Sequence, residues 1–233
     1  GLNFSFNYLY HYDSNPYVNV DWVNSSGTPY RIAYSNSDGN SDSGGAGSSG
    51  CGAPGNVANT ACDTVQTTVH LVNGTTDING TSDVATLQFT ESLNRIHSLG
   101  GSFDYAIDTE SSPVVLRGEF LYDKDVMTPI IDRARLSIGD LTGGLTNQKS
   151  DFFKYVIGAD TTIATDMMLS GQFIQFRNLD FVDETHTPTA LNVAGNATVT
   201  SAHSGARYTG DMSTLHLSNG LQKAEKNKNF YSL

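Results

Sequence analysis

Five polar residues mark where this sequence could do chemistry: Asp104, Arg117, Glu119, Lys154 and Gln172. Each falls on the polar side of a segment whose alternate positions are aromatic, aliphatic or glycine. Facing one another across strands, such groups can line a wet passage and act on solutes by charge. The structural alternative is a cross-strand charge ladder that only satisfies polar groups within the sheet. Other chemistry has less to stand on. His11, His70, His97, His186, His203 and His216 are scattered, with no H-x-x-x-H spacing and no adjoining Cys, so no metal centre is expected. No G-x-S-x-G elbow occurs, and neither an enzyme nor a cofactor is expected. Asp38, Asn40 and Asp42 space like the start of a calcium loop. The turn glycine comes late, at Gly44, and no Glu closes the loop, which favours a solvated segment. Asn24, Asn73, Asn79 and Asn196 begin N-x-S/T triplets, which arise by chance in loops this rich in Asn, Ser and Thr.

Strands must position the five residues. Along 98–108, Leu99, Gly101, Phe103, Tyr105 and Ile107 share one face, opposite Ser98, Ser102, Asp104 and Asp108. After the turn 109–112, Val114, Leu116, Gly118, Phe120 and Tyr122 share a face, opposite Arg117 and Glu119. Pairing Asp108 with Pro113 sets Asp104 across from Arg117, Phe103 beside Gly118 and Gly101 beside Phe120. Aromatic cover over a cross-strand glycine stabilises a sheet, and the Asp–Arg pair adds about 0.2–1 kcal/mol. A second hairpin runs through Phe153, Tyr155, Ile157 and Ala159, with Lys154, Gly158 and Asp160 opposite. It turns near 161–165 and returns through Met167, Leu169, Gly171 and Phe173. Beyond Phe173 the parity blurs, which predicts a bulge there.

Residues 2–12 alternate over a length that could cross a bilayer, with Leu2, Phe4, Phe6, Tyr8, Tyr10 and Tyr12 on one face. Asp13-Ser14-Asn15-Pro16 ends the run. Shorter strands are expected in 17–34, around a break at Ser25-Ser26-Gly27, and weakly at Val65–Leu71. Residues 35–63, 124–150 and 178–206 read as long polar loops, the second with a short helical turn near Ile130–Leu136. A further strand is expected near Met212–Leu217. The chain opens and closes inside strand-like runs, at Gly1 and at Asn229–Leu233, which reads as an internal piece of a longer protein. Cys51 and Cys62 share the first loop. A local disulfide formed in an oxidising compartment is the preferred reading and two free thiols the alternative.

With a net charge of -11 and only 13 Lys+Arg, the chain is a poor nucleic-acid binder. No apolar stretch approaches the ~18 residues of a membrane helix, although a barrel strand needs only ~9–11 alternating residues. Alternation alone fits a soluble sandwich equally well. Three features favour the membrane. Short turns alternate with long loops. Aromatics gather where strands meet the long loops, as a girdle of Tyr10, Tyr12, Phe120, Tyr122, Phe153 and Tyr155. The strand charges all fall opposite the aromatic face, where a lipid-facing Arg or Lys near the midplane would cost about 2–4 kcal/mol. The expected fold is all-β: one segment, 1–233, of an antiparallel up-and-down transmembrane barrel, with 35–63 as an extracellular loop.

Several runs also resemble a proteobacterial family of long outer-membrane proteins catalogued as a domain of unknown function. They are Arg95-Ile96-His97-Ser98, Gly101–Ala106, Pro113–Asp125, Phe153–Gly158 and Ser170–Phe181, with Asn7–Tyr12 upstream and Leu217–Gly220 downstream. The resemblance implies a barrel larger than this chain in the bacterial outer membrane, in contact with lipid bilayer and lipopolysaccharide. It also implies partnership with an inner-membrane exporter system and passage of small, hydrophobic molecules. It carries over no substrate and no catalytic residue. A passive channel or transporter component is the expectation. A secreted all-β adhesion or glycan-binding module and a plugged structural barrel are the alternatives.

Overall fold

The computed structural model describes residues 1–37, 66–73, 76–77, 84–109, 112–164, 167–191, 198–200, 204–211 and 221–233. Cys51, Cys62, the Asp38–Asp42 spacing and the strand expected near Met212–Leu217 lie outside them. Fifteen strands are found in the described residues. β1 (Leu2–Tyr12), β7 (Arg95–Ile107), β8 (Val114–Asp132), β9 (Leu145–Ala164), β10 (Met167–Asn178) and β15 (Asn227–Ser232) form the six-stranded body of an eight-stranded antiparallel sheet, in the order β1-β7-β8-β9-β10-β15. No helix among the described residues is long and apolar enough to cross a membrane.

The register of the central hairpin follows the residue pattern. Asp104 lies opposite Arg117, Phe103 opposite Gly118 and Gly101 opposite Phe120. Both glycines are needed. A Cβ on Gly101 would come within 2.6 Å of the Phe120 ring, and one on Gly118 would come closer still to the Phe103 ring. Gly118→Ala should therefore expel Phe103 from its seat and cost about 1–3 kcal/mol. A denaturant midpoint no lower than that of the parent would contradict this packing.

Two loop readings are corrected. Residues 124–150 are no loop: β8 runs on to Asp132 and β9 begins at Leu145, so the pair continues as a paired ladder. The alternation breaks at Asp123/Val126, where the register shifts and Asp125 takes φ 67°. Asp tolerates that left-handed conformation better than most residues. The extra residue moves even-numbered residues of β8 to the face that odd ones hold below it. Period-two reading therefore fails at the point where the strand is still going. Two one-turn helices cap the hairpin: α1 (Arg133–Ser137), N-capped by Asp132, and α2 (Leu141–Gly144), N-capped by Asp140. The bulge expected after Phe173 is also absent. β10 stays in register with β9 from Met168 to Asn178, and the irregularity lies at Met167/Met168.

The segment 178–206 likewise holds β11 (Asp183–His186), β12 (Thr189–Leu191) and β13 (Thr198–Thr200), of which β11 pairs with β14 (Gly205–Thr209) and β14 with β8. Between β1 and β7 lie β2 (Tyr17–Val23), β3 (Arg31–Ser37), β4 (Gln66–Asn73), β5 (Thr76–Asp77) and β6 (Thr86–Ser92). β2 pairs with β6, and β3 with β4.

All three long excursions leave the sheet at one end. The other end carries the connections from Ile107 to Val114 and from Ala164 to Met167. The buried apolar residues collect at the long-loop end: Val20, Val23, Tyr30, Ile96, Val126, Ile130, Ile131, Ala134 and Tyr208. The six-stranded body of the sheet has no such core. Its aromatic face is open, with Phe4 69%, Phe6 67%, Tyr8 64% and Ile157 54% exposed.

Candidate functional site

The pairing registers define two faces. One carries Leu2, Phe4, Phe6 and Tyr8 of β1, Leu99, Phe103 and Tyr105 of β7, Leu116, Phe120 and Tyr122 of β8, Phe153, Tyr155 and Ile157 of β9, and Phe173 and Tyr231 beyond. Ring contacts run Phe6–Phe120–Phe153–Tyr155–Phe173–Tyr231 with centroids 5.2–6.4 Å apart. Edge and offset stacking of this kind adds about 0.5–1.5 kcal/mol per pair beyond area burial. Of the expected girdle, Phe120 faces Tyr155 and Tyr122 faces Phe153. Tyr10, opposite His97, and Tyr12, opposite Arg95, stand further toward the loop end on the same face.

The other face is polar over β1, β7 and β8, with Asn3, Ser5, Ser102, Asp104, Arg117 and Glu119. Ser5 and Ser102 hydrogen-bond across the strands at 2.8 Å. Toward β15 it turns apolar: Val156 faces Ile174, Ile174 faces Phe230, and Phe230 rests against Phe176 with centroids 5.7 Å apart.

The five sequence candidates share this face but divide into two places. Arg117 Nε lies 3.2 Å from Asp160 and 3.7 Å from Asp104, so one cation serves two carboxylates. Asp160 also accepts from Ser170 Oγ at 2.5 Å. Glu119, flanked by Ser102 and Val156, makes no ion pair among the described residues, and Gln172 lies opposite Gly158 and Ser232. Lys154 stands apart, opposite Leu121, four residues along β8 from Arg117, or about 13 Å at strand spacing. Its Nζ donates to Asp123 Oδ2 at 2.7 Å.

Asp123 is the hub that sequence reasoning missed. It is 4% exposed, and its Oδ1 accepts from Ser98 Oγ at 2.5 Å. Ser98 Oγ also lies 3.1 Å from His11 Nε2. His11 Nδ1 faces the Tyr12 carbonyl at 2.7 Å. The serine bridges the imidazole and the carboxylate, so this is no nucleophilic triad, in which the histidine would sit between the other two. The signal for Asp123 was present: the register that pairs Asp104 with Arg117 also pairs Ser98 with Asp123. Lys154 joins only through the β8–β9 register.

This network lines a cavity of about 540 Å³ at the loop end of the polar face. Leu9, Ile96, Leu121, Val126, Phe152 and Phe176 supply its apolar wall. Thr209–Asp211 and Ala224–Lys226 also line it and are tied together by Ala224 N–H donating to Thr209 O at 2.9 Å. Among the described residues, no group of three or more His, Cys, Asp or Glu could hold a metal ion. Comparison with protein-family models, with curated proteins and with solved structures finds no match.

Proposed function

We propose that the six-stranded body of the sheet is part of the wall of an outer-membrane β-barrel that acts as a passive channel or transporter component. The carrying observation is the uncovered aromatic face, which spans six strands while no second sheet among the described residues packs on it. Contiguous apolar surface of that extent marks contact with lipid or a partner. A soluble sandwich would bury one face of this sheet against another layer. Loops on one end and tight connections on the other match barrel topology, and the family resemblance from Arg95 to Asp183 points the same way. The body of the chain is then one barrel segment. Its partners are the bilayer and lipopolysaccharide, with an inner-membrane exporter system as the proposed supplier of cargo and no nucleic acid. Small molecules with apolar parts suit a passage whose wall changes from Asp104, Arg117 and Glu119 to Val156, Ile174 and Phe230. The plugged-barrel reading draws on the segments 209–211 and 224–226, which line the cavity.

Membrane fractionation and planar-bilayer recording of the full-length protein test the reading. The protein should stay with outer membranes until detergent is added and should give single-channel currents. Solubility without detergent would refute the barrel, and insertion without current would favour the plug. Arg117→Gln removes the cation between Asp104 and Asp160 and should shift permeability toward cations by about twofold or more. An unchanged reversal potential would place Arg117 outside the conducting path.

A further inference from the structure

Basic residues are scarce here, at 13 Lys+Arg in a chain of net charge -11, and most are committed to carboxylates. Six make no ion pair with a carboxylate among the described residues, and three of these, Arg95, Lys124 and Arg177, share one place. Strand parity puts all three on the aromatic side, at its loop end: Arg95 opposite Tyr12, Lys124 opposite His97, and Arg177 opposite Phe153. From strand and residue spacing, the backbones of Lys124 and Arg177 lie about 12 Å apart. The Arg95 guanidinium rests over the Tyr10 and Tyr12 rings, 5.5 and 4.6 Å from their centroids, and donates to the Tyr12 hydroxyl at 3.2 Å. That stacking fixes its position and leaves it exposed. Three carboxylates at this level have duties of their own. Asp151 accepts from the Tyr122 hydroxyl and from the Asp125 N–H, Asp180 accepts from the Asp151 N–H, and Asp125 pairs with Lys149 at 3.6 Å.

We propose that Arg95, Lys124 and Arg177 form a docking row for the phosphates of a diphosphorylated glycolipid, the lipid A head of lipopolysaccharide. The inference rests on the membrane reading above. The row stands where the aromatic band ends, which is the depth of lipid headgroups. It lies on the side of the long loops, which faces the outer leaflet in barrels of this kind. Arginine presents paired donors that match phosphate oxygens, and lysine adds a point charge. Cations spread over β7, β8 and β10 suit two phosphates on one head better than a single phosphodiester.

The test uses full-length protein reconstituted in phosphatidylcholine vesicles, alone or with diphosphoryl lipid A or phosphatidylglycerol. Native mass spectrometry after gentle extraction counts retained lipid, and protease protection reports insertion separately. Diphosphoryl lipid A should be retained well above phosphatidylglycerol. Arg177→Gln or Lys124→Gln should lower retention by about twofold to fivefold, and the two together by about tenfold. Lys226→Gln, away from the aromatic face, should leave it unchanged. Insertion with no preference for lipid A, or equal losses in Lys226→Gln, overturns the docking row and leaves the barrel reading standing. Failure to insert overturns both.

Discussion

Replacing Ile157 with arginine should lower the stability of the reconstituted protein by about 2–4 kcal/mol, whereas arginine at the adjacent Val156 should cost far less. The residues are chain neighbours on opposite faces. Ile157 lies in the aromatic row between Gly118 and Phe173, and Val156 on the polar face between Glu119 and Ile174. Ile157 is already 54% exposed. If water covered it, a charge there would sit among surface substitutions that usually change stability by less than ~0.5 kcal/mol. Only a lipid neighbour makes the substitution expensive, because the guanidinium must then be desolvated or must thin the bilayer around itself. Denaturant titration in lipid vesicles measures the difference. Equal, small effects at 156 and 157 would mean that the aromatic face meets water.

Lys154→Ala should be the most damaging single truncation on the polar face, at about 3 kcal/mol. It removes the cation from Asp123, a carboxylate that is 4% exposed and, among the described residues, retains only Ser98 as a side-chain donor. Leaving a buried charge without its partner costs more than the pair itself contributes. Asp123→Asn in the Lys154→Ala background should recover much of the loss, because an amide needs no counter-charge. If Lys154→Ala matched Arg117→Gln in stability, the network under the cavity would be decorative. Arg117 is the fair comparison, since its side chain is 60% exposed and its ion pairs lie in water's reach.

The central hairpin is legible in the sequence because several local signals agree. Alternation over 98–122, a short turn, an Asp–Arg pair and two aromatic–glycine pairs all demand one register. Legibility fails at Asp123. There the Asp125 bulge reverses the inside-outside order of β8, and Thr128, Ile130 and Asp132 are buried against partners from 145–150 and from β14. A period-two pattern cannot report a phase change, so a continuing strand with Asp and Pro reads as a loop. The candidate residues were half legible for a related reason. Parity assigned Asp104, Arg117, Glu119, Lys154 and Gln172 to one face, but which of them meet depends on registers between strands far apart in the chain. Ser98 and His11 are joined only through the pairing of β1 with β7, which brings together residues more than eighty positions apart. The loop-end core escaped because part of it comes from β8 beyond the phase change and the rest from short strands that each bury little on their own.

Lipid-quenching of single tryptophans along β9 tests the central claim most directly. With Trp22 replaced by Phe, tryptophan is placed in turn at Tyr155, Val156 and Ile157, and the full-length protein is reconstituted in vesicles of brominated phosphatidylcholine. Strong quenching at 155 and 157 with little at 156 is the expected result, since only alternate residues should touch acyl chains. Equal and weak quenching at all three positions would contradict the membrane wall and return the sheet to water.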